Sequence, residues 1–148
     1  MRRETRNAVL SVPRDVAFDF LSDYRNDLLW RPELKAAELV SGTCGEAGAR
    51  YAGTVEWHDM SAPHELDLVA CSRPSRLHFN YQVSDLALEV VYNLYDKGPD
   101  ACYLTVDYIF EIAGPLSMLE PFGWGLFMGW VDDDLPRLPV VLLEQQGR

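Results

Sequence analysis

CYLTVDYIFEI, residues 102–112, places apolar and polar side chains alternately along its whole length. A period of two residues is typical of a β-strand with one buried face. The same alternation runs through four earlier stretches that short turns connect: residues 50–59, 64–70, 77–83 and 86–94. The apolar positions keep the same parity across all of these turns. The pattern therefore predicts an antiparallel meander with a single apolar face.

The register of this meander can be written down if each turn closes a simple hairpin. Trp57 then pairs with Leu66, and Asp59 pairs with His64 at the end of the first hairpin. Leu86 pairs with Phe110 in the last hairpin. Two rows of the apolar face are predicted in this way: Val55–Leu68–Tyr81–Leu88–Tyr108 and Tyr51–Ser72–Leu77–Tyr92–Leu104.

Helical patterns flank the meander. Residues 5–12 predict a first strand, and SVPRDVAFDFLSD, residues 11–23, has the spacing of a helix with proline in its first turn. A second short helix is predicted to stop before Pro32. One long helix is expected after the meander, with kinks at its prolines, Pro121, Pro136 and Pro139.

This order of elements indicates an α+β fold. The apolar face of the sheet must be covered, and the last helix is the only element long enough to cover it. No repeat or linker interrupts the sequence, so residues 1–148 are predicted to form a single domain.

Composition narrows the classes of function. The net charge of −10 disfavours nucleic acid and anionic membrane surfaces as partners. Three cysteines without a C-x-x-C pair predict reduced thiols in a cytoplasmic protein. The apolar run of residues 116–131 is interrupted and is shorter than the ~20 residues of a membrane span. No metal-ligand motif or glycine-rich phosphate loop occurs, so neither a metal nor a cofactor is predicted.

Four features together carry a family resemblance: the helix of residues 11–23, the WRP that follows at residues 30–32, Gly48 before the meander, and LPRLPVVLLE at residues 135–144. On these features the whole chain resembles the SRPBCC or START-like (helix-grip) superfamily, and within it the polyketide cyclase/dehydrase-like branch. The resemblance implies a curved antiparallel sheet wrapped around a long C-terminal helix. Two short helices would close one end of a cavity for a lipophilic molecule.

The C-terminal stretch combines glycines with large aromatic residues, and the resemblance suggests a reason. Its glycines would remove side-chain volume from the helix, so that the aromatic rings wall the cavity: Gly123, Gly125 and Gly129 beside Trp124, Phe127 and Trp130. The alternative is that the glycines only allow close packing of helix and sheet, or break the helix.

Candidate catalytic residues come from the inward parity of the meander. A carboxylate beside an imidazole makes a general base, so Asp59 and His64 are candidates for proton transfer. Tyr81 and Tyr108 are candidates for polarising a carbonyl group with their hydroxyls. The alternatives are a solvated surface contact for the first pair and ordinary strand packing for the tyrosines.

The predicted ligand-binding residues share the apolar face or the last helix. They are Tyr51, Val55, Trp57, Leu66, Leu68, Phe79, Leu88, Val90, Tyr92, Val106, Trp124, Phe127 and Met128. Arg31 or Arg50 could bind an anionic or ketone oxygen at the mouth of the cavity, but Arg31 precedes a proline and is predicted to be exposed. Residues 132–134, DDD, are predicted to form a solvated helix face. No inward-facing cluster of carboxylates is expected.

The residues and the resemblance together favour a cofactor-independent cyclase or dehydratase acting on a lipophilic polyketide or aromatic substrate. A non-catalytic binder or carrier of a hydrophobic molecule requires the same pocket. A third possibility is a helper protein whose surface binds a partner. The oligomeric state is left open.

Overall fold

The computed structural model describes residues 1–83 and 85–147. Seven strands form one antiparallel sheet in the order β1-β7-β6-β5-β4-β3-β2. The strands are β1 (Arg2–Leu10), β2 (Leu34–Ser41), β3 (Arg50–Trp57), β4 (Met60–Ser72), β5 (Arg76–Val83), β6 (Leu86–Asp96) and β7 (Cys102–Ile112). Helix α1 (Arg14–Ser22) and a 3-10 segment (Tyr24–Leu29) lie between β1 and β2. A 3-10 segment (Gly114–Leu119), α2 (Glu120–Asp134) and α3 (Arg137–Gln146) follow β7.

The alternation along β7 is reproduced in its burial. Every second side chain from Cys102 to Phe110 is buried, and those between them are half-buried. The buried parity continues across β6 and β5, so one face of the sheet forms the core with α1, α2 and α3. The predicted layers are therefore present, and β2 is a strand that the sequence pattern did not separate from the meander.

The parity of the strands is as predicted except beyond a bulge in β4, but three of the four hairpin registers are not. Between β4 and β5 the register is displaced by two residues, so Leu68 pairs with Phe79 instead of Tyr81. Tyr81 pairs with Leu88 between β5 and β6, as expected. Between β6 and β7 the register is displaced by two residues, and Leu88 pairs with Phe110 instead of Tyr108. An even displacement keeps every side chain on its predicted face, because strand side chains alternate with a period of two.

The hairpin between β3 and β4 shows the largest difference. The turn consists of His58 and Asp59, with His58 in the left-handed conformation at φ 55°, so Trp57 pairs with Met60. The predicted pairing of Trp57 with Leu66 is wrong. The predicted pairing of Asp59 with His64 is wrong as well, because Asp59 is exposed in the turn and His64 lies opposite Gly53.

A bulge in β4 changes the far end of the next hairpin. The register shifts between Leu68 and Ala70, and Cys71 takes the place opposite Leu77 that was predicted for Ser72. The bulge inserts one residue into one strand only, which reverses the parity beyond it.

The C-terminal helical segment is interrupted, as its prolines predict. It breaks between α2 and α3, where Pro136 precedes the first residue of α3. Pro121 lies in the first turn of α2, a position that needs no backbone N–H donor, so it begins this helix.

The three glycines of α2 differ in how closely other residues surround them. A Cβ atom on Gly123 would lie 3.3 Å from Phe110 Cζ and 3.4 Å from Ile112 Cδ1, so this glycine permits close packing of α2 on β7. Gly125 and Gly129 are exposed, and added Cβ atoms there would meet nothing within 4 Å. The prediction that these two glycines shape the cavity is therefore wrong.

Candidate functional site

A cavity lies between α2 and the sheet and consists of two adjoining spaces. The larger one, the outer cavity, has a volume of about 250 Å³. The smaller one, the inner cavity, has a volume of about 30 Å³. The residues that line both are Arg31, Tyr81, Leu88, Phe127 and Trp130.

Most of the outer cavity is apolar. Its further walls come from Val55, Ala62, Val83, Leu86, Phe110, Gly123 and Leu126, and its remaining polar residue is His64. The aromatic rings of α2 and β7 pack against each other there, with Phe110 and Phe127 stacked at 6.2 Å between ring centroids. Polar groups are therefore confined to the side of the cavity where Arg31, Tyr81 and His64 lie.

Arg31 is the centre of a buried ionic network. Its Nη1 donates to Asp27 Oδ2 at 3.1 Å, and its Nε donates to Glu33 Oε2 at 3.1 Å. The side chains of Asp27 and Glu33 are 4% and 8% exposed. Burial raises the pKa of Asp27 to about 6, although Arg31 acts in the opposite direction. Burial opposes the charge of Arg31, but nearby phenols and carboxylates outweigh it and hold its pKa well above the usual value.

Two carboxyl groups meet at the edge of this network. Asp134, in the last turn of α2, is 4% exposed. Its pKa is raised to about 8 by burial and by a hydrogen bond to Glu33, so the Asp134 carboxyl is protonated below that pH. Arg137 is the nearest cation, with Nε 3.9 Å from Asp134 Oδ1.

His64 is held by a tyrosine that does not line the cavity. The Tyr24 hydroxyl lies 2.7 Å from His64 Nε2. Burial and the positive charge of Arg31 lower the pKa of His64, so its imidazole is neutral at pH 7. Gly53 makes room for the ring, because a Cβ atom there would lie 2.8 Å from Nε2.

Three further tyrosines face the inner cavity from β5, β6 and β7, and burial raises the pKa of each: Tyr81, Tyr92 and Tyr108. Their hydroxyls are therefore protonated and act as hydrogen-bond donors at neutral pH. Trp30 also lines this cavity. Its Nε1 proton has no acceptor in hydrogen-bonding geometry among the described residues, although its proximity lowers the pKa of Asp27.

Eight of the predicted site residues line the two cavities: His64, Tyr81, Tyr108, Val55, Leu88, Val90, Tyr92 and Phe127. Five others are fully buried in the core away from the cavities: Tyr51, Leu66, Leu68, Phe79 and Val106. Met128 is buried too, Trp124 packs on Phe110, and Trp57 lies beside His58 at the end of its hairpin. Asp59 is exposed and remote from His64 in register.

The ionic network corrects three expectations. The side chain of Arg31 is only 14% exposed, Asp134 is not part of a solvated helix face, and carboxylates do cluster inward. Tyr24, Asp27 and Glu33 were missed altogether. The sequence did contain one signal for Asp27. It lies four residues before Arg31, which is the spacing of an ion pair on one helical face.

Two broader observations bear on the site. In residues 1–83 and 85–147, no group of three or more His, Cys, Asp or Glu side chains has an arrangement that suits a metal ion. Among the helices of this part of the chain, none has both the length and the apolar character needed to cross a membrane.

Comparisons by sequence find no relatives: no protein-family model matches the chain, and no curated protein matches it. Comparisons of structure find solved proteins with a similar fold. A protein from Thermus thermophilus is 14% identical, with a TM-score of 0.76 over 97% of this chain and 99% of that one. A START superfamily protein from Mycobacterium smegmatis is 16% identical, with a TM-score of 0.71 over 90% and 93% of the two chains. The chain has the START-like helix-grip fold.

The Zhui aromatase/cyclase from Streptomyces sp. R1128 has the same fold, with 12% identity and a TM-score of 0.73 over 99% of this chain and 96% of that one. The predicted fold class and the resemblance that led to it are thereby confirmed. At identities of this size the likeness concerns the fold alone, and the activity must be argued from the cavity.

Proposed function

We propose that the protein binds a neutral lipophilic molecule in the outer cavity and acts on it as a cyclase or dehydratase of the polyketide or aromatic type. The observation that carries this proposal is the distribution of polar groups. The walls are apolar except where Arg31, Tyr81 and His64 lie together. A cavity of about 250 Å³, near the lower end of the range for small-molecule sites, suits a compact ligand of about two fused rings.

The proposed chemistry is an intramolecular condensation. His64 takes a carbon-bound proton adjacent to a carbonyl, at Nε2, in exchange for its hydrogen bond from Tyr24. The enolate carbon attacks a second carbonyl carbon of the same molecule, whose oxygen accepts a hydrogen bond from Tyr81 and then takes up the proton that His64 had removed. The resulting hydroxyl group leaves as water with a neighbouring C–H proton. Most of the acceleration would come from holding the chain in a folded shape.

A carrier without activity is the second candidate, and one observation favours it. His64 Nε2 is already occupied by the Tyr24 hydroxyl, and the charge of Arg31 is compensated by two carboxylates. Neither group is therefore free before a ligand arrives. A cytoplasmic location, a single domain over residues 1–148, and the absence of a cofactor stay predictions under both candidates.

Binding is tested with prodan, a neutral naphthyl ketone whose emission shifts in apolar surroundings. Val55→Trp fills the outer cavity, and we expect it to weaken prodan binding at least tenfold. Val40→Trp is the matched control, because Val40 lies on β2 with an exposed side chain. Equal affinities of wild type and Val55→Trp would place prodan elsewhere and contradict the proposed binding site.

Activity is tested with 1-phenylhexane-1,3,5-trione, which gives 5-phenylresorcinol on ring closure and loss of one water. The isomeric pyrone formed by oxygen attack is separated by chromatography. We expect the wild type to raise the rate of carbon–carbon closure, and Tyr81→Phe to lower that rate at least tenfold. Tyr95→Phe, at an exposed position of β6, is the control. Tight binding of the trione without any increase in rate would favour the carrier.

A further inference from the structure

The inner cavity contains polar groups that the proposed chemistry does not use. Among the described residues, the tyrosine hydroxyls that form hydrogen bonds are those of Tyr24 and Tyr51. Tyr92 and Tyr108 line the inner cavity with exposures of only 5% and 4%, and their hydroxyls are not among those bonded. Both residues line the inner cavity, so a ligand atom there can accept hydrogen bonds from their hydroxyls.

The opposite wall of the same space supplies acceptors. Glu33 and Asp134 line the inner cavity and lie with side chains 8% and 6% exposed. Glu33 uses Oε2 to accept from Arg31, whereas the only ion pair of the Asp134 carboxyl among the described residues is a long one, at 3.9 Å, with Arg137. Oxygen atoms of this carboxyl pair thus retain capacity to accept a hydrogen bond.

Three kinds of ligand group fit this space poorly. A carboxylate would meet Glu33 and Asp134, with Arg31 already paired twice. An ammonium group would approach the positive charge of Arg31 on the same wall. An apolar tip would leave the hydroxyls of Tyr92 and Tyr108 unpaired.

A neutral hydroxyl fits on three counts. It accepts hydrogen bonds from the tyrosine hydroxyls and donates one to the carboxyl pair. It also fits by size, since about 30 Å³ exceeds the ~10–15 Å³ that one water-sized group needs.

We propose that the inner cavity is a specificity subsite for a neutral alcohol or phenol hydroxyl of the ligand, which Tyr92 and Tyr108 bind as donors and Glu33 and Asp134 bind as acceptors. This inference rests on the proposed function, because the outer cavity has to hold the body of the same ligand. The subsite selects lipophilic molecules that end in a hydroxyl over those of equal size that end in a methyl group, a carboxylate or an amine.

The test is a calorimetric titration at pH 6.5 with a matched series: 2-naphthol, 2-methylnaphthalene, 2-naphthoate and 2-(aminomethyl)naphthalene. Hydrophobicity alone would favour the methyl compound, which is similar in size to the phenol. We expect 2-naphthol to bind at least tenfold more tightly than each of the other three. Tyr108→Phe and, separately, Tyr92→Phe should reduce this preference to threefold or less, while Tyr95→Phe leaves it unchanged.

The outcomes separate the two proposals. Equal binding of 2-naphthol and 2-methylnaphthalene, with prodan still bound, overturns the subsite alone and means that the inner cavity holds only water. Tighter binding of the amine or of the carboxylate overturns it as well. A preference that survives in both phenylalanine variants assigns the hydroxyl to another place. If prodan and all four naphthalenes fail to bind, the proposed function and the subsite fail together.

Discussion

Replacing Arg31 with methionine tests whether the ionic network holds the fold together. The variant keeps much of the side-chain volume but removes two hydrogen-bonded ion pairs, each 3.1 Å long, to Asp27 and Glu33. Because both carboxylates are more than 90% buried, they would stay in the interior without a compensating charge. Breaking a buried pair in this way destabilises proteins by about 3–5 kcal/mol.

In Arg31→Met, protonation of a stranded carboxylate limits the loss of folding stability, and this limit depends on pH. A stranded carboxylate can take up a proton, which for Asp27, with an ordinary pKa of 3.8, requires about 4 kcal/mol at pH 7 and about 2 kcal/mol at pH 5. An acid whose folded-state pKa is raised stabilises the fold below its unfolded pKa and loses that contribution as the pH rises. The loss of stability in Arg31→Met is therefore expected to grow between pH 5 and pH 8.

Urea unfolding followed by circular dichroism at pH 5, 6.5 and 8 measures this loss. The control is Arg50→Met, which removes an exposed pair with Asp67 at 2.9 Å and should change stability little at any of these pH values. A loss for Arg31→Met that is as small as that of the control would refute the view that the network is buried. A loss independent of pH would refute the assignment of the penalty to the carboxylates.

Three further predictions concern single positions. Gly125→Ala should raise the free energy of unfolding by about 0.5–1 kcal/mol, because Gly125 is helical and its surroundings are open. Gly123→Ala should give no such increase, because its added methyl group would meet side chains of β7. Urea unfolding of the two variants measures the difference. Gly53→Ala should displace the His64 ring and lower the free energy of unfolding by about 1–3 kcal/mol. The pKa of His64 should then rise towards its ordinary value of 6.5, which an NMR titration measures. An unchanged pKa would contradict the close contact between the two residues. Asp134→Asn should be more stable than the wild type at pH 8 by at least about 1 kcal/mol, because the raised pKa of Asp134 makes its ionisation unfavourable in the folded state. The difference in stability should shrink towards pH 5, where Asp134 is protonated. A constant difference between these pH values would contradict the raised pKa.

The faces of the strands were predictable from the sequence, whereas their registers were not. Alternation with a period of two assigns each side chain to a face, and it does so equally well after a displacement by two or six residues. The register depends on which residues form the turn. The two-residue turn at His58 and Asp59 relies on a left-handed histidine, which nothing in the local sequence requires. The alternating stretches of residues 50–59 and 64–70 leave residues 60–63, MSAP, as the predicted turn, but these residues begin β4 instead.

The apolar part of the site was predictable for the same reason as the faces, and the polar part was not. Val55, Leu88 and Tyr92 follow from parity alone. Asp134 lies more than 100 positions from Arg31 in the sequence and approaches it only after α2 has been placed across the sheet, whereas Asp27 pairs with Arg31 locally. Hydrophobic patterning treats such charged residues as exposed, because isolated charges are rarely buried. Their burial is a tertiary effect that no single stretch of sequence announces.

The composition of the inner cavity is itself an argument for binding. A cavity that served only stability would be filled with apolar side chains, because replacing a buried ion pair with well-packed hydrophobic residues is often neutral or stabilising. This fold instead keeps Arg31 with two carboxylates, a buried Asp134 whose pKa is raised to about 8, and two phenols that line the inner cavity. Each of these features lowers the stability of the fold relative to an apolar core. Violations of local packing rules of this kind concentrate at functional sites, where a ligand supplies the missing partners. The polar groups of the inner cavity are therefore better explained by recognition than by folding.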